Sequence, residues 1–319
     1  MKAKKKLLTL LILSAGSVVV SGAGIAAVNK LIKMSAVSRN LLSEPEHQCY
    51  KWRLGDIYYT KTGSGKPLLL IHDLSSFSCG FEWSRLIPLL QEQYTIYTID
   101  LLGCGRSEKI NMTYTNYLYV QLITDFIHSV IGRRTNVIAT GEAASIPIMA
   151  CYSTPSLFDQ IMLINPLSLL DYSQIPGRSA RFFKFILDLP VIGTMIYHMA
   201  SSRKSIETLF TEEFFCNPVS VTPYYTDRYY EAAHLGAYPK AVFTSCFCNY
   251  TKCNLVNALK KIDNSIYLVG GAKLGAISEQ LEEYKKYNSS IETFLIPNTR
   301  ELPQMEAPGQ VCELIQTYL

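Results

Sequence analysis

From Tyr50 to the C-terminus the chain alternates short apolar runs with stretches of helical spacing. Residues 68–71 are a continuous apolar run bounded by Pro67 and Asp73, the pattern of a strand buried on both faces. Residues 50–54 and 56–61 read as two short strands joined at Gly55, and residues 95–99, 136–140, 161–164, 265–269 and 291–296 as further strands. Between them, residues 82–90, 115–131, 144–152, 278–287 and 308–318 have helical periodicity. Leu118, Leu122, Phe126 and Val130 form one such stripe. This alternation predicts an α/β fold with a mostly parallel sheet and right-handed crossovers. Residues 167–261 break the rhythm: they are helix-like and rich in Phe, Tyr and Pro, with no clear strand. They are expected to form a helical lid over the carboxyl edge of the sheet, where such folds bind their ligands.

The first 34 residues have a different character. They hold six lysines (Lys2, Lys4, Lys5, Lys6, Lys30 and Lys33) and no acid. Taking these six from the 30 basic residues leaves 24 against 26 acidic ones, so the net +4 of the chain hides a body of −2. A near-neutral body lacks the basic face that phosphate binding needs, which argues against nucleic acid as a partner. Residues 7–28 carry no charge, and about 20 apolar residues suffice to cross a bilayer as a helix. The lysines in front of them place the N-terminus in the cytoplasm and the body on the far side, as a single-pass membrane protein. A cleaved signal peptide, with Ala23, Ala26 and Ala27 offering small residues to a protease, is the alternative and would give a secreted body. The uncharged run is longer than the ~7–15 residues of a signal core. The expected division is therefore an anchor over 1–34, a connector over 35–48 and a folded body over 49–319.

Two patterns that resemble cofactor sites do not hold up. Gly65-Lys66 lacks the leading glycine and following Ser or Thr of a phosphate loop. Cys246, Cys248 and Cys253 have no second ligand pair, so buried free thiols are expected in place of zinc. No cofactor or metal is expected.

A set of short motifs follows one order. His72-Asp73 after a strand, Glu82-Trp83, Asp100 through Gly103, Gly105 and Ser107, Tyr114-Thr115, and Leu302 through Pro308 stand in the order and spacing of an α/β-hydrolase. Over about residues 50–319 the chain resembles that family, of the AB hydrolase-1 type. The resemblance implies an open sheet of about eight strands with a helical lid. It also implies a Ser–Asp–His triad and an oxyanion hole of two backbone N–H groups. His72 and Asp100 would be structural members of such a site.

The positions that the resemblance assigns to the triad carry the wrong residues. The strand-to-helix turn that should hold a nucleophile reads Ala139-Thr140-Gly141-Glu142-Ala143-Ala144-Ser145. One register puts Ala143 at the nucleophile and the other puts Gly141 there; the first keeps a glycine in the leading position and is favoured. Lys273 follows the strand that should present the acid, and Glu301 stands where the histidine belongs. None of the five histidines (47, 72, 128, 198, 234) lies in the last 85 residues. Asp171 is an alternative acid position, and His234 in the lid a displaced base. The implied pocket comprises His72, Asp73, Leu74, Glu142, Ala143, Ala144 and Glu301. Three carboxylates gathered there would need Arg300 as an internal partner, or a bound cation.

Because a triad acts as a unit, the sequence predicts a pseudoenzyme that binds a small apolar or cationic molecule, or a protein partner. An atypical esterase-like hydrolase using Asp73, Glu142, His234 or Glu301, and a structural surface domain with a filled pocket, are the alternatives.

Overall fold

The apolar runs become the middle of one sheet. In a computed structural model, which describes residues 22–43 and 47–319, eight strands are found. They are β1 (Gln48–Trp52), β2 (Gly55–Thr62), β3 (Lys66–Ile71), β4 (Tyr94–Ile99), β5 (Thr135–Thr140), β6 (Phe158–Ile164), β7 (Ile266–Gly271) and β8 (Glu292–Ile296). They lie in the order β1-β2-β4-β3-β5-β6-β7-β8. The β1–β2 and β2–β4 pairs are antiparallel and all other neighbours are parallel. Successive side chains of a strand face opposite sides. Leu69 and Ile71 accordingly join one core layer with Leu122, Phe126 and Val137, while Leu68 and Leu70 join the other with Trp83, Ile138 and Ile315.

Helices of seven or more residues are α1 (Gly22–Val37), α2 (Asn116–Phe126), α3 (Ser145–Ser153), α4 (Arg178–Asp188), α5 (Ile192–Ala200), α6 (Arg203–Leu209), α7 (Pro223–His234), α8 (Lys240–Phe247), α9 (Ile277–Lys285) and α10 (Pro308–Tyr318). Helices α4 to α8 lie between β6 and β7 and form the insertion. Its own apolar cluster, with Ile206, Phe210, Phe215 and Tyr229, reaches down to Cys79, Phe81 and Met305 of the body.

Two helices differ from expectation. The stretch 82–90 is a 3-10 turn, Gly80–Trp83, followed by one helical turn, Ile87–Leu90, with Pro88 at its start. The stretch 115–131 is capped by the Thr115 side chain, which accepts the Leu118 N–H, and it relaxes into a π-helical turn over Ile127–Ile131 that ends at Gly132.

Residues 1–21 lie outside the described residues, and with them Lys2 to Lys6 and most of the uncharged segment. Among the described residues no single helix is long and apolar enough to cross a membrane. Helix α1 continues through Val37, three residues into the expected connector. It packs against α5 and α7, and the Asn29 amide reaches the Val191 carbonyl. The connector is then clasped to the lid. Asp227, on α7, pairs with both Arg39 and Arg203, and the Glu231 carboxylate accepts the N–H groups of Leu41 and Leu42 at 2.7 and 3.2 Å.

All nine cysteines are free thiols. Among the described residues no group of three His, Cys, Asp or Glu side chains could hold a metal ion.

Candidate functional site

The chain leaves β5 through a sharp turn, and the turn falls at Gly141. Its φ of +54° lies in the left-handed region that side chains disfavour. Ala143, the favoured slot in the sequence, is instead fully buried inside the 3-10 turn Gly141–Ala144, next to Ala144. The register with Gly141 at the bend is the one that the backbone adopts. The sequence could not separate the two, because both positions carry small residues. Ser145 starts α3 below the bend, where its hydroxyl accepts from Asn116 and donates to the Glu142 carbonyl.

Beside the bend, the Asp73 Oδ1 accepts two backbone N–H groups, from Leu74 and from Glu142, each at 2.8 Å. One of these donors follows the bend and the other lies in the loop after β3. These are the two places from which the fold draws an oxyanion hole. A carboxylate of the chain itself therefore occupies the donor pair. A Cβ on Gly141 would fall 2.2 Å from that same Oδ1, so a side chain at the bend and the Asp73 carboxylate compete for one space.

Beneath Asp73 lies Glu82, fully buried. It accepts from the Thr140 hydroxyl at 2.6 Å and the Gln304 amide at 2.8 Å, and from the Asp73 N–H at 3.2 Å. Burial first, and the Asp73 charge second, push its pKa up to about 8. Burial also raises Asp73. Glu82 was not among the expected pocket residues. The sequence offered it only as part of the Glu82-Trp83 motif, with nothing to show that the carboxyl is buried beside Asp73.

Glu301 does arrive at this site. Asn165, at the end of β6 and also left-handed (φ +46°), holds the loop in place. Its amide donates to the Arg300 and Glu301 carbonyls at 2.8 and 2.9 Å and its oxygen accepts the Gly271 N–H at 2.8 Å. Burial, then the charges of Asp73 and Glu213, push the Glu301 pKa up to about 7. Arg300 does not neutralise it: its guanidinium donates to the Glu212 carbonyl. Glu301 lines a cleft of about 140 Å³ together with Asp171, Ser168, Leu167, Leu274 and Ile277. Lys273 is exposed and does not line the cleft; after β7 its wall is formed by Leu274, Ala276, Ile277 and Gln280.

The remaining expected residues have structural tasks. His72 is buried and neutral: Nδ1 donates to the Asp73 carbonyl, Nε2 accepts the Leu101 N–H, and burial lowers its pKa. Asp100 accepts from Gly80 and Arg106. Glu142 bonds the Thr251 hydroxyl. His234 stays in the lid, stacked on His198 with centroids 5.0 Å apart, and burial pushes it down to about 4.

A model of the family described as alpha/beta hydrolase matches residues 68–314. The chain belongs to the alpha/beta hydrolase family. Among curated members, a soluble epoxide hydrolase of Corynebacterium sp. (strain C12) is 26% identical over 109 residues, 34% of this chain and 37% of that protein. The chain thus matches little more than a third of that relative's length. The solved epoxide hydrolase CorEH has a TM-score of 0.69 at 20% identity, covering 85% of this chain and 97% of its own. A solved membrane phospholipase A, described as a bacterial virulence factor, has a TM-score of 0.64 at 19% identity, covering 98% of this chain and 96% of its own. At these identities the solved structures establish the alpha/beta hydrolase fold. The family's mostly parallel eight-stranded sheet agrees with the expectation from sequence.

Proposed function

We propose that this alpha/beta hydrolase-family protein binds a ligand without hydrolysing it, and is held in a membrane by its N-terminal segment. The observation that carries the first half is the Asp73 carboxylate on the Leu74 and Glu142 N–H groups, against a glycine at the bend. The donors that would stabilise a developing oxyanion are engaged by a resident anion, and no hydroxyl or thiol occupies the bend. No histidine follows β8, and the His72 ring, beside Asp73, has both nitrogens engaged by the Asp73 carbonyl and the Leu101 N–H, so neither is free to act as base.

Incubation with a fluorophosphonate probe and with a panel of p-nitrophenyl esters and epoxides is expected to give no label and no turnover above buffer. Turnover that vanishes in Asp73→Asn would instead support a hydrolase driven by carboxylates.

The ligand site in this reading is the cleft beside Glu301. Two carboxylates facing the aliphatic walls of Leu167, Leu274 and Ile277 suit a short primary amine on an apolar body. A cavity of about 150 Å³ holds a molecule the size of benzene, so the cleft accommodates a similar number of atoms. A cation needs Glu301 ionised, and its pKa is about 7. Butylamine is expected to raise the melting temperature at pH 8 and far less at pH 6. Glu301→Gln should abolish the rise; an equal rise at both pH values, or in the variant, would remove Glu301 from the site.

The membrane half rests on the uncharged residues 7–28 behind four lysines. It is supported by the likeness to a membrane phospholipase A over 98% of this chain.

A further inference from the structure

We propose that the outer face of α4 and the α4–α5 corner rest on an anionic lipid bilayer, next to the point where the N-terminal segment enters it. The proposal builds on the membrane reading above and adds which face of the body meets the lipid.

Helix α4 is amphipathic with an inverted surface. Its inner side packs Phe183 and Leu187. On the outside, Arg178, Arg181, Phe182 and Phe185 follow one another at helical spacing and are all exposed. Phe182 is 60% and Phe185 65% exposed. Two aromatic rings in water on one face, flanked by two guanidinium groups, are unusual for a surface turned only to solvent. They match an interfacial helix, with rings at the acyl boundary and cations among the phosphates. Helix α5 meets α4 at 100° and continues the surface with Ile192 and Met199, seven residues apart and both exposed.

The position of α1 selects lipid as the occupant. Asn29 holds α1 to Val191, at the α4–α5 corner. Around it Val28, Leu31 and Met34 present a further exposed apolar stripe, 54%, 65% and 57% accessible, with Lys30 beside it. The chain that precedes α1 includes the uncharged residues from Leu7 onward. If that segment is in the bilayer, the corner to which α1 is fastened is the part of the body nearest the lipid. The exposed apolar and basic residues lie on the elements that meet at this corner.

Tryptophan reporters test this without the thiol chemistry that nine free cysteines would complicate. Both native tryptophans, Trp52 and Trp83, are buried. The full chain carrying Phe182→Trp, Phe185→Trp or, as comparison, Tyr152→Trp is reconstituted into phosphatidylglycerol-containing vesicles with and without brominated acyl chains. Tyr152 lies near the C-terminal end of α3, which packs against α2, β5 and β6. Emission of both α4 reporters is expected to fall about two-fold with brominated lipid, while Tyr152→Trp is unchanged. Equal quenching at all three positions, or none at α4 while the protein floats with the vesicles, would overturn the lid contact and leave the anchor in place. A full chain that does not float with vesicles at all would overturn both readings.

Discussion

Gly141→Ser destabilises the protein by ~3 kcal/mol or more while Asp73 is present, and by much less once Asp73 is glycine. The new side chain meets two penalties. A left-handed backbone costs a residue with a Cβ ~1–2 kcal/mol, and φ at Gly141 is +54°. The Cβ also lies 2.2 Å from Asp73 Oδ1, so the carboxylate must leave its two N–H donors. Hydrogen bonds to a charged group contribute ~1.5–3 kcal/mol each. In Asp73→Gly only the backbone penalty remains. Urea unfolding of the two single variants and the pair closes a double-mutant cycle, with an expected coupling of ~2 kcal/mol. Additive costs would show that the two positions do not share one space.

Glu82→Gln is expected to change stability little at pH 5 and to raise it relative to the wild type as the pH climbs. In the unfolded chain Glu82 loses its proton near 4.5, whereas in the folded protein it keeps it up to about 8. Between those values the native state binds more protons, so the wild type loses stability as pH rises. At ~1.4 kcal/mol per pH unit the whole span corresponds to ~5 kcal/mol. Glutamine does not titrate. Unfolding free energies at pH 5, 7 and 9 should therefore show the variant gaining steadily on the wild type, with most of the gain complete by pH 9. Asp73, whose pKa is raised in the same direction, remains in the variant and leaves a residual slope. Parallel curves for the two proteins would mean that Glu82 is ionised in the native state throughout.

The sheet was legible because buried parallel strands are written as uninterrupted apolar runs, such as Leu68 to Ile71, and because turn glycines separate the elements. The emptiness of the triad was legible by counting, since no histidine follows His234. What filled the space was not. The choice between Gly141 and Ala143 depends on a backbone angle, and small residues at both places conceal it. The seating of Asp73 depends on two N–H groups 68 residues apart in the chain, Leu74 and Glu142, being aimed at one point. Neighbours in sequence also misled: Arg300 and Glu301 look like an ion pair on paper, but the guanidinium goes to the Glu212 carbonyl and the carboxylate to the cleft. Glu82 escaped because its burial comes from β5 and from Gln304, which are distant in the chain.

The clasp between the connector and the lid has a mechanical consequence. Arg39 and the backbone of Leu41 and Leu42 are fastened to Asp227 and Glu231 on α7, and Asp227 is also tied to Arg203 on α6. Tension along the N-terminal segment therefore reaches the roof of the molecule through this joint before it reaches the sheet. A pull on the chain is borne first by two lid helices, α6 and α7, whose apolar side chains pack on Phe81 and Met305 of the body. Force applied on the N-terminal side would thus shift these helices against Phe81 and Met305 before it strained any strand.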